Sequence, residues 1–199
     1  ADGNAKMIWR YDGRDHEIEA AFYDTQGELV MSGYGYARRL SQYDSRGNMI
    51  EQSYFDQNNQ PVNCDEKYAK ITFRYDERGQ EIETAYFGPD GRPTRQRRGY
   101  AKLQLEYDRL GNDTARHYFA PDGEPAQPSV VVKQVDGGSP ARAAGVELWD
   151  ILVRYNGVEL KDSIHFGELT SAGGTGKRKL VVRRGDEETT LTVPAGKIG

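Results

Sequence analysis

The chain of 199 residues has few of the residues that build cross-linked or metal-bound folds. Its single cysteine, Cys64, excludes an internal disulfide and a zinc site made of cysteines. The three histidines, His16, His117 and His165, lie far apart in the sequence and lack the spacing of metal ligands. We therefore expect no bound metal and no other cofactor.

Long apolar runs and a strong charge of either sign are also missing. No stretch approaches the roughly 20 apolar residues of a membrane-spanning helix. The net charge of −4 gives no reason to expect a nucleic-acid partner. Glycine and tyrosine are abundant, with 23 and 13 residues, which predicts a folded chain with many turns rather than a disordered one.

An internal repeat of 32 residues occupies the first part of the chain, with units at about 4–35, 36–67, 68–99 and 100–126. Because the first unit starts in phase almost at Ala1, we expect further units upstream. Three kinds of position recur: a Tyr-Asp pair, a pair of aromatic residues, and an alanine followed by Lys or Arg. They are Tyr11-Asp12, Tyr43-Asp44, Tyr75-Asp76 and Tyr107-Asp108; Phe22-Tyr23, Tyr54-Phe55, Tyr86-Phe87 and Tyr118-Phe119; and Ala5, Ala37, Ala69 and Ala101.

Each repeat has the pattern of a β-hairpin. In the third, apolar and polar residues alternate over 69–76, a turn follows at 77–80, and a second alternating run covers 82–86. The second repeat departs from this pattern, because Arg39 and Ser41 stand where apolar residues are expected. A hairpin of this kind buries its apolar stripe only against its neighbours, so the repeats predict one continuous β structure.

Three features of the repeats have two interpretations each. The aspartates after the repeated tyrosines either cap their own turns or bind calcium, and the absence of a D-x-D-x-D-G loop favours capping. The repeated aromatic residues form either a buried stripe, which we expect, or a surface that stacks sugars. The arginines of the third repeat either lie in a solvated loop, which we expect, or bind an acidic partner; they are Arg92, Arg95, Arg97 and Arg98.

The repeated motif, Y-A-[KR]…Y-D-x-x-G…Y-F-D-x-x-G-x-P, resembles the tyrosine–aspartate (YD) repeats of the RHS type found in bacterial surface and secreted proteins. Families of this kind build elongated or enclosing β scaffolds. The resemblance implies a structural or binding role and carries over no catalytic residue. It also implies an extracytoplasmic location, in a bacterial envelope or as a secreted protein, although a cytoplasmic location is not excluded.

The composition changes after Pro128, and residues 126–128 have the character of a short linker. Of the aromatic residues, only Trp149, Tyr155 and Phe166 follow it. Strands are predicted over 130–135 and 150–155, and a hairpin over 179–193 with its turn at 185–186. A short helix is predicted from a serine cap to Gly145, and a second one from about 163 to 172.

The C-terminal part resembles a PDZ domain of the bacterial type over about 129–195. The matching residues, in order, are Gly138-Ser139-Pro140-Ala141, Ala144-Gly145, Asp150 and Asn156-Gly157. The fold class is therefore predicted as mainly β. Residues 1–126 form a β-hairpin repeat array, and residues 127–199 form a small α+β PDZ-like domain with five to six strands and two helices.

The PDZ resemblance implies a groove in which an extended peptide adds as a strand beside the first strand of the domain. The groove lies between that strand and the second helix. His165 falls where some PDZ domains place a histidine that bonds a ligand Ser or Thr, although it also fits a surface histidine without a role. The predicted groove residues are Val130, Val131, Val132, Lys133, Gln134, His165, Phe166 and Leu169.

Two positions depart from the PDZ pattern. The loop that usually holds a terminal carboxylate would fall at 126–129, where there is no glycine and Pro128 has no amide hydrogen. Trp149 replaces the glycine that normally precedes the aspartate. Its ring is either an exposed anchor or packs against the neighbouring domain, and we expect the interdomain contact.

No catalytic motif is present. The patterns G-x-S-x-G and H-E-x-x-H are absent, and Ser139 belongs to a helix cap. We therefore predict a protein that is not an enzyme, a scaffold of repeats joined to a module that binds a protein or peptide by strand addition. Two alternatives stay open: a regulatory fragment of a larger enzyme such as an envelope protease, and a carbohydrate-binding aromatic array.

Overall fold

The computed structural model describes residues 6–161, 163–171, 175–184 and 187–195. The chain divides into two compact parts. The repeat domain is Ala1–Gln96 with Tyr100–Ala126, and the C-terminal domain is Arg97–Gly99 with Gln127–Gly199. Ala5, the end of the second predicted helix at 172 and the hairpin turn at 185–186 lie outside the described residues. The chain is mainly β, which confirms the predicted fold class.

From residue 6 onward, where the structure describes it, the repeat domain is one antiparallel sheet of eight strands that follow each other in chain order. Each repeat contributes two strands that pair with each other. The second strand of one repeat also pairs with the first strand of the next repeat over a shorter stretch, in which Ser53, for example, lies opposite Lys70. The strands are β1 (Lys6–Tyr11), β2 (Glu17–Tyr23), β3 (Arg38–Tyr43), β4 (Met49–Phe55), β5 (Lys70–Tyr75), β6 (Glu81–Phe87), β7 (Lys102–Tyr107) and β8 (Asp113–Phe119).

The aspartate of each Tyr-Asp pair closes the turn that follows it. The Asp44 carboxylate accepts hydrogen bonds from the amides of Arg46 and Asn48, both at 2.9 Å. The same two bonds recur, 32 residues apart, at Asp12, Asp76 and Asp108. The capping interpretation is thus confirmed at all four positions. A carboxylate can satisfy two amides in one tight turn because it offers several acceptor sites.

Neighbouring hairpins are tied together at the level of these turns. The Tyr75 phenol donates to the carbonyl of Met49 in the preceding repeat at 2.8 Å. In the opposite direction, the Arg46 guanidinium donates to the carbonyl of Glu77 in the following repeat at 3.0 Å. Equivalent bonds run from Tyr43 to Glu17, Tyr107 to Glu81, Arg14 to Ser45 and Arg78 to Arg109.

A ladder of aromatic rings forms the core of the repeat domain. Successive ring centroids lie between 4.8 and 5.8 Å apart, in tilted and edge-to-face arrangements that favour aromatic contacts. Phe22, Tyr36, Tyr54 and Tyr100 are buried, and burial raises the pKa of Tyr54 to about 12. The prediction of a buried aromatic stripe is confirmed at Phe22 and Tyr54, and it is wrong at Tyr11, which is 57% exposed. The ladder is Phe22, Tyr36, Tyr54, Tyr68, Tyr86, Tyr100 and Tyr118.

Polar pairing explains why the second repeat tolerates Arg39 and Ser41 on the ladder side of the sheet. Arg39 forms an ion pair with Glu17 of the first repeat. The buried Ser41 hydroxyl accepts a bond from the Gln52 amide at 3.2 Å, and the Gln52 carbonyl oxygen accepts the Tyr54 phenol at 2.5 Å. These contacts offset part of the cost of burying polar groups, although the buried Nε atom of Arg39 has no hydrogen-bond partner among the described residues. The sheet continues through this departure from the apolar alternation.

The described residues of the C-terminal domain form a second sheet of five strands and two helices. Its strand order is β11, β10, β12, β13, and β9 pairs with β10. Leu180, Val182 and Val193 are fully buried at its centre. The elements are β9 (Val130–Val131), α1 (Pro140–Ala143), β10 (Ile151–Tyr155), β11 (Val158–Glu159), α2 (Ser163–Ser171), β12 (Lys177–Arg184) and β13 (Glu187–Pro194).

The first strand of this domain is shorter than the 130–135 expected from the sequence. The Val132 amide donates to Asp150 at 2.9 Å, but the Val132 carbonyl accepts from Trp149 at 2.8 Å. The amide of Asp150 donates to the carbonyl of Glu147 and not to Val132. This irregularity ends the regular ladder after Val131. Within the described residues, neither helix is long and apolar enough to cross a membrane.

Removal of one ring from the ladder should destabilise the repeat domain strongly. We expect Tyr54→Ala to lower the free energy of unfolding by about 3–5 kcal/mol, because it leaves a cavity between two packed rings. Tyr11→Ala removes a tyrosine that is 57% exposed, and should cost less than about 1 kcal/mol. Urea denaturation of both variants measures the difference. Equal losses would contradict the ladder as the core.

The turn aspartate Asp44 should make stability depend on pH. Hydrogen bonds from Asn48 lower the pKa of Asp44, so its charged form is favoured in the folded chain. This stabilisation is fully present above the ordinary aspartate pKa of about 4 and is lost as pH falls through the lower folded value. Asp44→Asn keeps an acceptor without the charge. We expect its unfolding midpoint in urea to fall less than that of the wild type between pH 5 and pH 2. An equal fall of the urea midpoint in the variant and in the wild type would contradict the assigned role of the Asp44 charge.

Candidate functional site

The outer edge of β9 is the first component of the site. In an antiparallel pair, the main-chain groups of every second residue point toward the partner strand. The Val132 amide donates to Asp150, the residue before β10, so the main-chain groups of Val130 also point toward β10. The amide and carbonyl of Val131 therefore point away from β10. An edge of this kind can pair with another extended chain.

A cavity of about 460 Å³ lies beside this edge. Its wall is mainly apolar, with Phe166 of α2 facing the strand and Leu152 and Leu180 at the base. Phe166 is held by an edge-to-face contact with Tyr155 at 5.8 Å between ring centroids. Five of the predicted groove residues line this cavity together: Val130, Val131, Val132, Gln134 and Phe166.

The other three predicted groove residues have different surroundings. Leu169 packs against the hydrophobic core of the domain. His165 accepts a hydrogen bond from the Lys161 amide at its Nδ1 atom, at 3.3 Å, where α2 begins. Lys133 lines a smaller cavity that adjoins the first. Their roles toward a ligand stay predictions.

The smaller cavity, of about 240 Å³, is a polar continuation of the groove. It shares Val130, Val131 and Ser163 with the apolar cavity and adds the cationic side chains of Arg98 and Lys133. We call it the cationic pocket. Arg98 comes from the segment Arg97–Gly99, which the chain contributes to this domain from some thirty residues upstream. No local pattern in the sequence points to that contribution.

The segment Arg97–Gly99 is attached just before β9. The Ser129 amide donates to the Arg98 carbonyl at 2.7 Å. Gly99 has a φ of +88°, and a Cβ atom there would lie 3.2 Å from the Ser129 hydroxyl. The residue that follows Pro128 thus gives its amide to another segment of the chain, and that amide is not available to a terminal carboxylate.

Two cationic side chains lie over the ring of Trp149. The guanidinium carbon of Arg97 lies 4.1 Å from the ring centroid, and Lys133 Nζ lies 4.7 Å from it, both within the range of cation–π attraction. The backbone of Trp149 has a φ of +72°, which is strained for a bulky residue. The expected packing of Trp149 against the repeat domain stays a prediction.

A buried ion pair supports the turn that leads into β10. Asp150 is 1% exposed, and its carboxylate accepts a bidentate pair of hydrogen bonds from Arg184, at 2.6 Å from Nε and 2.9 Å from Nη2. The same carboxylate accepts the Glu147 amide at 2.9 Å. This geometry fixes the backbone of Asp150, whose carbonyl accepts the Val132 amide. The position of β9 therefore depends on this pair.

Comparison with known families identifies the fold of the C-terminal part. The family model of the PDZ domain matches residues 103–195, so a PDZ domain is found in this part of the chain. The resemblance inferred from residues 129–195 is confirmed, and the match begins earlier, within β7. PDZ domains bind peptides or proteins. The resemblance of the repeats to YD repeats stays a prediction. A search of the curated proteins finds no match to the chain.

Loss of the charge at Asp150 should destabilise the C-terminal domain. Asp150→Asn places an amide against the donors of Arg184, and we expect a loss of about 2–3 kcal/mol. This is below the full cost of breaking a buried pair because the Arg184 side chain is 36% exposed. Glu188→Gln, in the exposed pairs with Arg154 and Arg183, should cost much less. Thermal unfolding of the two variants measures this order, and the reverse order would contradict the role of Asp150.

Proposed function

We propose that the PDZ domain of this chain binds an extended segment of a partner protein by strand addition at the outer edge of β9. The observation that supports this proposal is the position of Val131. Its main-chain donor and acceptor point away from β10 and lie beside a mainly apolar cavity of about 460 Å³. A ligand strand supplies main-chain partners for these groups and one or two apolar side chains for the cavity.

The shape of the groove limits how affinity arises. β9 has only two residues in regular pairing, so few main-chain bonds are available. Burial of an apolar ligand side chain between Val132 and Phe166 must then supply much of the binding free energy. A volume of this size lies within the range of small-ligand pockets and suits side chains rather than a whole structured element.

The binding mode differs from capture of a free carboxyl terminus. Pro128 has no amide hydrogen, and the Ser129 amide donates to Arg98. The backbone before β9 therefore lacks the row of amides that holds a carboxylate. We propose that internal segments of the partner bind about as well as its C-terminal segment.

The repeat domain is proposed as a non-catalytic scaffold. Its turn carboxylates bond to their own backbone, and several ladder rings are buried against each other. These groups serve the fold, which favours a scaffold over a sugar-stacking surface. From the resemblance to YD repeats alone, we propose a place in the bacterial envelope or among secreted proteins.

A proline substitution tests strand addition. Val131→Pro removes the outward amide hydrogen, and proline is tolerated on the open side of an edge strand. We expect at least a tenfold loss of affinity for a peptide selected from a displayed library of random nine-residue segments, measured by calorimetry. The matched control Val131→Thr keeps the amide and should bind within twofold of the wild type.

Thermal unfolding shows whether both variants remain folded. Equal binding by Val131→Pro and Val131→Thr would overturn the proposal, as would a library that yields no binder. Amidation of the C-terminus of the selected peptide should change its affinity by less than tenfold, which is about 1.4 kcal/mol. A larger loss would show that the segment before β9 does bind a carboxylate.

A further inference from the structure

The junctions between consecutive repeats share one interface. At each junction the second strand of one repeat pairs with the first strand of the next. A glutamate of the second strand forms an ion pair across the junction, and a tyrosine of the first strand donates its phenol to a carbonyl at the start of the second. The ion pairs are Glu19–Arg38, Glu51–Lys70 and Glu83–Lys102, and the phenol bonds run from Tyr43 to Glu17, Tyr75 to Met49 and Tyr107 to Glu81.

Tyr11 stands on β1 in the position of these junction tyrosines. β1 pairs with β2, and no other strand within the described part of the chain pairs with it. Tyr11 is 57% exposed, whereas its equivalents Tyr43, Tyr75 and Tyr107 are half-buried. None of the described residues accepts a hydrogen bond from its phenol. Tyr11 therefore has the donor of a junction without the carbonyl that completes it.

Trp9 and Lys6 also match the first strand of a junction. Trp9 is 47% exposed, although its equivalents Phe73 and Leu105 are half-buried. Lys6 has the position of the cation in the three ion pairs, 32 residues before Arg38. Large apolar side chains left exposed together, with charged residues at their rim, are typical of an interaction surface.

The aromatic surface of this edge differs from the later junctions in one respect. The tyrosine that begins each later repeat is replaced in the first repeat by Asn4. The apolar contribution of β1 to a junction therefore comes from Trp9 and Tyr11. Their burial against an added strand supplies the binding free energy that the main-chain bonds of a short edge do not.

The other outer edge of the sheet, on β8, lacks the groups that complement β1. Ala115 stands where a junction glutamate is expected, and His117 stands where the earlier repeats have Ala or Ser opposite the cation. Leu110, which is 89% exposed, replaces the arginine that bonds to the next repeat. Atypical residues of this kind mark the terminal unit of a repeat array. A second copy of this chain would thus bring no junction glutamate to Lys6.

We infer that the outer edge of β1 is an interface for the second strand of another hairpin of this repeat, one that has a glutamate opposite Ile8 and a small residue opposite Lys6. The glutamate forms an ion pair with Lys6, and a carbonyl at the start of the added strand accepts the phenol of Tyr11. The added hairpin also covers Trp9. This interface is independent of the peptide groove of the C-terminal domain.

The register of the added strand follows from the existing junctions. Glu19 lies opposite Leu40 and Ala21 lies opposite Arg38, and the same offsets recur at the next two junctions. A shift by one residue would turn the side chains of the added strand to the other face of the sheet. The main chain of an open edge accepts many sequences, so the glutamate, the small residue and the aromatic contacts select the partner.

An added repeat tests this interface in the full chain. A copy of residues 65–96 placed directly before Ala1 keeps the 32-residue phase and carries Glu83 and Ala85 in the required positions. We expect the amides of β1 that face away from β2 to exchange hydrogen at least tenfold more slowly than in the original chain, because they gain main-chain partners. Mass spectrometry of deuterium uptake measures this. The matched control carries the same added residues in scrambled order and should leave the uptake of β1 unchanged.

A phenylalanine substitution identifies the junction bond itself. Tyr11→Phe removes only the phenol oxygen, so we expect it to lower the urea midpoint of the extended protein and to leave that of the original chain unchanged. The control Tyr34→Phe alters a tyrosine that is 63% exposed and lies outside β1, and it should leave both midpoints unchanged.

Three outcomes would overturn the inference. Unchanged deuterium uptake with the in-phase copy is one, because the copied sequence does pair with the following repeat where β6 meets β7. Equal protection by the scrambled copy, or an equal effect of Tyr11→Phe in both proteins, is the second. Self-association of the original chain in sedimentation, together with protection of β1, is the third and would assign this edge to a second copy. None of these outcomes bears on binding at β9.

Discussion

Contact between neighbouring hairpins is the interaction on which the repeat domain depends. A hairpin of 32 residues has too little apolar surface to bury its own rings, so each ring packs against a ring of the same or the next repeat. The phenol of Tyr75 and the guanidinium of Arg46 bond to carbonyls of adjacent repeats, in opposite directions. Stability is therefore shared along the array and is not a property of any one repeat.

The C-terminal domain depends on a different interaction, the ion pair of Asp150 and Arg184. A carboxylate that is almost wholly buried needs all its acceptors satisfied, and Arg184 together with the Glu147 amide does this. The carbonyl of the same aspartate accepts the Val132 amide and so places the strand that borders the groove. A residue that touches no ligand in the proposed function thus controls the geometry of the binding edge.

The proposed groove combines recognition of a ligand's main chain with recognition of its side chains. Main-chain bonds to Val131 accept any sequence, so they supply affinity without selectivity. Selectivity must come from side chains, and the groove offers two kinds of pocket along one strand. The segment Arg97–Gly99 belongs to the same compact part of the chain as this groove.

Periodicity and turn chemistry are local properties, and they were readable from the sequence. The 32-residue spacing predicted hairpins, and the structure has a strand pair in each repeat. Asp44 and its equivalents cap turns because an aspartate and the amides it satisfies are two and four residues apart. The PDZ resemblance likewise depended on short motifs, such as the Ser139 cap, whose hydroxyl accepts the Arg142 amide.

Pairing between distant residues was decided only by the tertiary structure. Arg39 breaks the apolar alternation, and its partner Glu17 lies in a different repeat, so the sequence alone offered no reason for it to be tolerated. The predicted strand over 130–135 ended at Val131 because Trp149 and Asp150 bond irregularly to Val132. Arg98 joins the groove through a hydrogen bond between backbones some thirty residues apart. The sequence determined which residues could form strands, turns and a groove wall, whereas three-dimensional packing determined which of them meet, because those contacts depend on segments that no local pattern connects.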